Sequence, residues 1–272
     1  MPSLLSYVES GWSRVSQDPL LFVFPVLATL VYPDRLGRLL STDQVVSVQF
    51  AFPVGLGQLT TFVNAPIPPG FTISPLFFLM PLTLAVDAVL TAAFLGRLDA
   101  ALQDRPRDDS AAVSRWFVPM LGLAAFDFAV LFAGVIFGVL GPLTLLLVIP
   151  AVLVVGYLFF AAPYLVVLQD RGAVDALRAS KDLALERGAY RSFAVQYFVA
   201  VAVVSLPLSM FVYGAGIFGV LFGMLVTAPL AVALSAATMQ FVRNLVESTE
   251  HRHADQTEWS NQYRRPSTDD RV

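Results

Sequence analysis

The feature that most constrains this chain is the absence of positive charge from two joints between its apolar stretches. Apolar residues fill most of the segment 20–245, and neither Gly141-Pro142 nor Tyr213–Gly216 contains a lysine or arginine. Nearly all basic residues lie in the other connections. Because loops rich in arginine and lysine stay on the cytoplasmic side of a membrane, this alternation predicts a polytopic membrane protein.

Composition supports the same class. The chain is 57% hydrophobic and 14% charged, with a mean hydropathy of +0.71, whereas about a quarter of the residues in a soluble domain are charged. Cysteine is absent, which excludes disulfides, thiolate catalysis and cysteine-ligated metal centres.

Five stretches are long enough to span a bilayer, which takes about 20 apolar residues. They cover approximately 75–96, 117–140, 143–168, 192–213 and 216–242. A sixth stretch, Leu20–Tyr32, has only 13 residues between two prolines. If it also crosses, 15 of the 17 basic residues lie inside and only Arg35 and Arg38 lie outside. We therefore predict an all-α fold of about six transmembrane helices in the cell membrane, with both termini cytoplasmic.

The chain divides into three predicted regions: an interfacial amphipathic helix over 1–18, a transmembrane domain over 19–245, and a flexible cytoplasmic tail over 246–272. The first rests on the helical spacing of Leu4, Leu5, Val8, Trp12 and Val15. A plain extension of the first span is an equally good interpretation. Asp18 and Pro19 are the expected N-cap and first residue of the next helix.

Residues 33–74 are predicted to form a long external loop. A β-like run extends from Val45 to Val63, and Gly55-x-Gly57 could turn it into a hairpin. A loop of this length is either functional or loosely ordered. On the cytoplasmic side, residues 170–188 are predicted to form a short helix that ends at Gly188. Its contact face contains Ala173, Leu177, Ser180 and Ala184.

Several motifs resemble those of a known group. The runs are Pro163–Gly172, Ala176–Ser180 and Glu186–Gly188, together with the opening Gly11-Trp12, Asp18–Phe22 and Phe24-Pro25. They are similar to polytopic membrane proteins related to the glycerophosphoryl diester phosphodiesterase membrane-domain family. The resemblance implies a helical membrane domain only, because the activity in that family belongs to a separate soluble barrel that this chain has no room for.

Two ionisable residues, Asp87 and Asp127, fall inside predicted spans. Each lies ten to twelve residues from an arginine at the cytoplasmic end, Arg97 or Arg115, so the two carboxylates are at similar depth. A facing pair would suit proton or cation handling. The alternative is that each carboxyl is hydrogen-bonded to hydroxyl groups such as those of Thr83, Thr91, Ser205 and Thr227, and serves helix packing. No predicted span contains lysine, arginine or histidine, which argues against organic-anion transport.

Two glycine pairs permit close helix packing, Gly134 with Gly138 and Gly219 with Gly223. Packing within one chain is favoured over homodimerisation, and the oligomeric state stays open. The tail residues His251 and His253 are not expected to bind metal. The sequence contains no nucleotide-binding or hydrolase fingerprint, so we expect no enzymatic activity, no cofactor and no nucleic-acid partner.

Two functions remain. The first hypothesis is a non-enzymatic scaffold or partner-binding subunit in the bilayer. It would contact another membrane or cytoplasmic protein through the 170–188 helix and the 33–74 loop. The alternative is a small-ion or proton-coupled permease that uses Asp87 and Asp127.

Overall fold

The computed structural model describes residues 3–42, 44–66, 78–139, 142–186 and 188–263, with no side-chain description at 138, 139, 142, 143, 145 and 250–263. After a 3₁₀ turn at Pro19–Phe22 is set aside, the helices in chain order are α1 Leu4–Val15, α2 Val23–Leu30, α3 Pro33–Leu40, α4 Leu59–Phe62, α5 Met80–Leu102, α6 Asp109–Val139, α7 Pro142–Phe159, α8 Ala162–Gln169, α9 Ala173–Leu185, α10 Ala189–Gly214 and α11 Gly216–Tyr263.

The all-α polytopic prediction is confirmed. Five segments are long and apolar enough to cross a membrane: Met80–Leu102, Asp109–Phe137, Leu146–Gln169, Ala189–Gly214 and Gly216–Thr249. They correspond to the five spans predicted from hydropathy. The predicted first span is broken, because the segment Pro19–Leu30 bends by 77° into Pro33–Leu40. Proline at position 33 begins the second piece, since a proline is accepted at the first turn of a helix but not in its interior.

Ion pairs hold one end of the bundle together, and we call it the basic end. The carboxylate of Asp18 is 2% exposed and receives two hydrogen bonds from Arg97, at 2.6 and 3.0 Å. Arg97 also pairs with Asp109 at 2.9 Å. The Asp18 side chain accepts from the backbone N–H of Leu20 and caps the 3₁₀ turn, as predicted. The start of the first apolar segment is thereby fixed to α5 and α6.

Further arginines join this end. Asp99, which is buried, pairs with Arg105 and with Arg243 of α11. Arg115 donates to Asp170 at 2.7 Å, and the Trp116 indole N–H donates to the same carboxylate oxygen at 3.1 Å. These two donors hold the pKa of Asp170 below its usual value, because they stabilise its ionised form.

Helix α1 packs along α11 with part of its predicted face, joined by Tyr7. Leu4, Tyr7 and Val15 are buried, whereas Leu5 is 76% exposed. Trp12 is also exposed, and its ring contacts Phe22. The turn at residues 16–18 separates α1 from the following apolar segment, so the chain has two elements there and not one extended span.

The largest departure from the sequence predictions concerns residues 44–66, which we call the inserted segment. The hairpin prediction is wrong, because residues 44–66 contain no strand; they run extended and then form the one-turn helix α4. The predicted external loop is not solvated here either. Leu59, Phe62 and Val63 are completely buried, and their neighbours are the long helices. Nothing is described for positions 67–77 of that loop.

Two glycines let the inserted segment approach the helices closely. A Cβ atom on Gly55 would lie 3.0 Å from the methyl group of Thr91 and 3.1 Å from Pro163. One on Gly57 would lie 2.9 Å from the Cβ of Ala231. The Gly55-x-Gly57 motif therefore serves packing against α5, α8 and α11.

The predicted contact face of the 170–188 helix points into the protein. In α9, Ser180 and Ala184 are buried, and Ala173 and Leu177 are half-buried. The Ser180 hydroxyl donates to Leu158 O at 2.8 Å. Gly188 has a φ of 73°, which favours glycine, and it separates α9 from α10.

The two predicted glycine pairs differ in how closely they pack. In α11, a Cβ atom on Gly219 would lie 2.6 Å from Val212 O, and one on Gly223 would lie 2.7 Å from the Val212 side chain, so this pair packs inside the chain. Gly134 has ordinary contact with Val148 of α7, at 3.5 Å. The surroundings of Gly138 lie outside the described side chains. The predicted flexible tail is helical as far as Tyr263, and residues 264–272 lie outside the described chain.

The burial of the inserted segment predicts unequal reactivity at the two ends of the Val45–Val63 run. Val63 is 0% exposed and Val45 is 73% exposed, and the parent chain contains no cysteine. In nanodiscs, Val63→Cys should react with a charged thiol reagent at least about tenfold more slowly than Val45→Cys, because its reaction requires local opening. Equal rates at the two positions would show that the run is a solvated loop.

Candidate functional site

A cavity of about 330 Å³ lies between the inserted segment and helices α3, α5, α6, α8 and α9. Three charged residues from three different helices line it: Arg35, Asp87 and Asp127. From sequence alone, the two aspartates could face either a cavity or a packed interface. The structure places both on the cavity wall.

The two carboxylates are not used in helix packing. Asp87 is half-buried and Asp127 is exposed, and both side chains line the cavity. Among the described residues, neither carboxylate forms an ion pair within 4.0 Å or a hydrogen bond. The two are nevertheless close enough to interact electrostatically. An aspartate in an apolar helix that has no partner among the described residues is the arrangement expected of a functional group.

Three of the four hydroxyl groups proposed as partners for the aspartates form hydrogen bonds elsewhere, and the fourth, that of Thr91, lies in the wall of the same cavity. Thr83 donates to Met80 O, and Thr227 donates to Met224 O, both within their own helices. Ser205 accepts from the backbone N–H of Gln49. Thr91 packs against Gly55.

Arg35 is the site residue that sequence reasoning missed. The charge distribution predicts Arg35 in the external loop. In the structure it lies on α3, and its side chain lines the cavity. Its guanidinium carbon lies 4.4 Å from the centre of the Tyr32 ring, a cation–π contact. With the Gln58 amide oriented to satisfy its neighbours, Arg35 Nη1 donates to Gln58 at 3.1 Å, and Gln58 donates to Ala28 O at 2.9 Å. The signal in the sequence was Pro33, which allows a new helix to begin immediately before this arginine.

The inserted segment forms one wall of the cavity through Val54, Gly55, Leu56, Gln58 and Thr61. Side-chain hydroxyls satisfy its backbone. Ser209 accepts from Ser47 N at 3.0 Å and donates to Ser47 O at 2.7 Å, and Ser205 accepts from Gln49 N at 2.6 Å. Both serines are fully buried in α10. The segment thus descends along α10, from residue 209 toward residue 205.

Three further hydrogen bonds fix the deeper part and the return of this segment. The Tyr164 hydroxyl donates to Val54 O at 2.7 Å, and Leu59 N donates to the Thr29 hydroxyl at 3.0 Å. The Tyr213 hydroxyl contacts Ser47 Oγ at 2.9 Å and also donates to Asn64 O. One tyrosine therefore binds both ends, so residues 47–64 enter and leave the bundle at the same level.

Two helices are interrupted beside the cavity. The first break lies between α2 and α3, where Tyr32 and Arg35 line the wall. The second lies between α7 and α8 at Phe160-Ala161, and Phe159, Ala162 and Pro163 line the wall there. Discontinuous helices and non-helical backbone occur at membrane depth where they line a cavity, and they often form solute sites in transporters.

Helix α9 contributes to the wall at the basic end. Leu177, part of its predicted contact face, lines the cavity. Tyr157 anchors the same helix, because its hydroxyl donates to Ala184 O at 3.2 Å. This face is therefore covered by the helix bundle and forms part of the cavity wall.

Comparisons with family models, curated proteins and solved structures find no match to the chain. The resemblance to the phosphodiesterase membrane-domain group stays a prediction. Within the described residues, no group of three histidine, aspartate or glutamate side chains is arranged to hold a metal ion. The chemistry of the site accordingly consists of two carboxylates and one guanidinium around a small cavity.

The inserted segment should depend on the Tyr213 hydroxyl. We expect Tyr213→Phe to lower the free energy of unfolding by about 1–2 kcal/mol, because it leaves Asn64 O without its donor. Tyr197→Phe is the matched control, since Tyr197 is buried on the same helix and its hydroxyl has no hydrogen bond among the described residues; it should change the value by less than about 0.5 kcal/mol. Denaturant titration in detergent measures both, and equal effects would contradict the role of Tyr213.

Proposed function

We propose that this chain is a permease of the cell membrane that moves a small solute or ion through the Asp87–Asp127 cavity. The observation that carries the proposal is the convergence of three features on one cavity. These are the two carboxylates that have no partner among the described residues, the two helix breaks and the non-helical inserted segment. Each is expensive in an apolar environment and is retained mainly at solute or ion pathways.

In this proposal the aspartates are the coupling groups. A carboxylate that alternates between a protonated or cation-bound form and a free form can link solute movement to an ion gradient. Two neighbouring ionised carboxylates repel each other, and the binding of one proton or cation to the pair relieves this repulsion. No covalent step is required, and we expect no enzymatic activity.

Orientation follows from the distribution of charge. The basic end contains five arginines that form hydrogen bonds or ion pairs with neighbouring elements at that end. They are Arg14, Arg97, Arg105, Arg115 and Arg243. We place this end, α9 and both termini in the cytoplasm. The inserted segment then enters the bundle from outside.

The scaffold hypothesis had two proposed contact surfaces, and both are engaged within the chain. The predicted face of α9 packs on the bundle, and Leu59, Phe62 and Val63 of the inserted segment are buried. These residues are not available to a partner, which supports the permease, although Val45 and Phe50 of the same segment are exposed.

The proposal predicts that ion flux depends on both carboxylates. In vesicles reconstituted with the protein and supplied with a panel of small amines, carboxylates and amino acids, an imposed proton or monovalent-cation gradient should dissipate faster than in protein-free vesicles with the same solutes. Asp87→Asn and Asp127→Asn should each bring the rate to the protein-free level, because asparagine keeps the shape but cannot titrate. A fluorescent ion indicator measures the rates.

Asp182→Asn serves as the control for this experiment, because Asp182 is exposed on α9 and does not line the cavity. It should leave the flux unchanged. Thermal unfolding must show that the Asp87 and Asp127 variants stay folded. Variants that are folded and carry the parent flux, or a parent no faster than protein-free vesicles, would refute the permease.

A further inference from the structure

The cavity contains charges of both signs. Arg35 lies on α3, Asp87 on α5 and Asp127 on α6, and all three line the same space. Arg35 acts electrostatically on Asp87, but among the described residues the two side chains form no ion pair within 4.0 Å. The positive and negative groups therefore face each other across a gap.

Such a gap is unusual for charges removed from water. Opposite charges in a low-dielectric region attract strongly, and leaving them apart retains the desolvation cost of each without the compensating contact. Here the guanidinium of Arg35 contacts Tyr32, Gln58 and Thr60 instead of Asp87. The fold thus keeps the two charges separated.

We infer that the cavity binds a small zwitterion, a solute with one carboxylate and one ammonium group. Its carboxylate binds the guanidinium of Arg35, and its ammonium group binds beside Asp87 and Asp127. This inference rests on the proposed permease function and names the class of its substrate. A guanidinium is suited to the task, because its planar donors match both oxygens of a carboxylate.

The charge balance distinguishes this ligand from simpler ones. A plain cation would meet the positive charge of Arg35, and a plain anion would meet two carboxylates. A zwitterion satisfies both sides and adds no net charge. With all three groups ionised, the site has one more negative than positive charge, which leaves one carboxylate for the coupling proton or cation. The cavity of about 330 Å³ equals roughly ten water molecules at about 30 Å³ each, so the solute is small.

A titration with matched solutes tests the charge requirement. The zwitterions are glycine, β-alanine and 4-aminobutyrate, which differ in the distance between their charges. Methylamine, ethylamine and propylamine lack the carboxylate, and acetate, propionate and butyrate lack the ammonium group. Calorimetry on the purified full chain in nanodiscs should show at least one zwitterion binding about 30-fold or more tighter than its two single-charge counterparts, as expected when a desolvated charge loses its partner.

Variants then assign the carboxylate to Arg35. Arg35→Gln should weaken zwitterion binding by about 30-fold and leave amine binding unchanged or stronger. Arg35→Lys keeps the positive charge but not the planar donors, and it should lose less zwitterion affinity than Arg35→Gln. Arg38→Gln is the control, since Arg38 lies on the same helix but does not line the cavity, and it should change the affinity by less than about twofold.

The outcomes separate this inference from the permease proposal. If amines bind as tightly as zwitterions, or if no zwitterion binds to a parent protein whose flux depends on Asp87 and Asp127, the zwitterion inference is overturned while the permease stands. An equal loss of zwitterion affinity in Arg35→Gln and Arg38→Gln also overturns the zwitterion inference. Loss of the Asp87 and Asp127 flux dependence refutes the permease itself.

Discussion

The structure depends on one constraint: an extended backbone inside an apolar bundle must find hydrogen-bond partners there. The inserted segment cannot pair its own N–H and C=O groups as a helix does, and an unpaired buried group costs several kcal/mol in hydrocarbon. The neighbouring helices supply the partners as Ser205, Ser209, Tyr164, Tyr213 and Thr29. These hydroxyls fix where the segment lies and therefore where the cavity forms.

The cavity is a consequence of this irregular backbone. A bundle of continuous helices would fill its centre with side chains, whereas here one wall is extended chain and two others are helix breaks. Arg35 reaches the space because the chain bends by 77° before α3. Ion pairs at the basic end, above all that between Asp18 and Arg97, hold together the helices that carry these elements.

Hydropathy and charge predicted the regular part of the fold, because a spanning helix is determined by local sequence. The five apolar helices and the Asp18 cap follow from local spacing. The inserted segment could not be predicted this way. Its β-like pattern is the same for a solvated hairpin and for a buried extended chain, and the hydrogen bonds that decide between them join residues far apart in sequence, such as Gln49 and Ser205. Arg35 was missed for the same reason.

A permease of this kind requires a water-accessible cavity beside Asp87 and Asp127, and two adjacent alanines of α6 test for it most directly. Ala124 lines the cavity, whereas Ala125 is exposed on the outer surface of the helix. In lipid nanodiscs, the thiol of Ala124→Cys should react with a small cationic methanethiosulfonate, because water permits its ionisation, and the lipid-facing thiol of Ala125→Cys should not. An unreactive thiol at position 124, or equal reaction at both positions, would contradict the cavity.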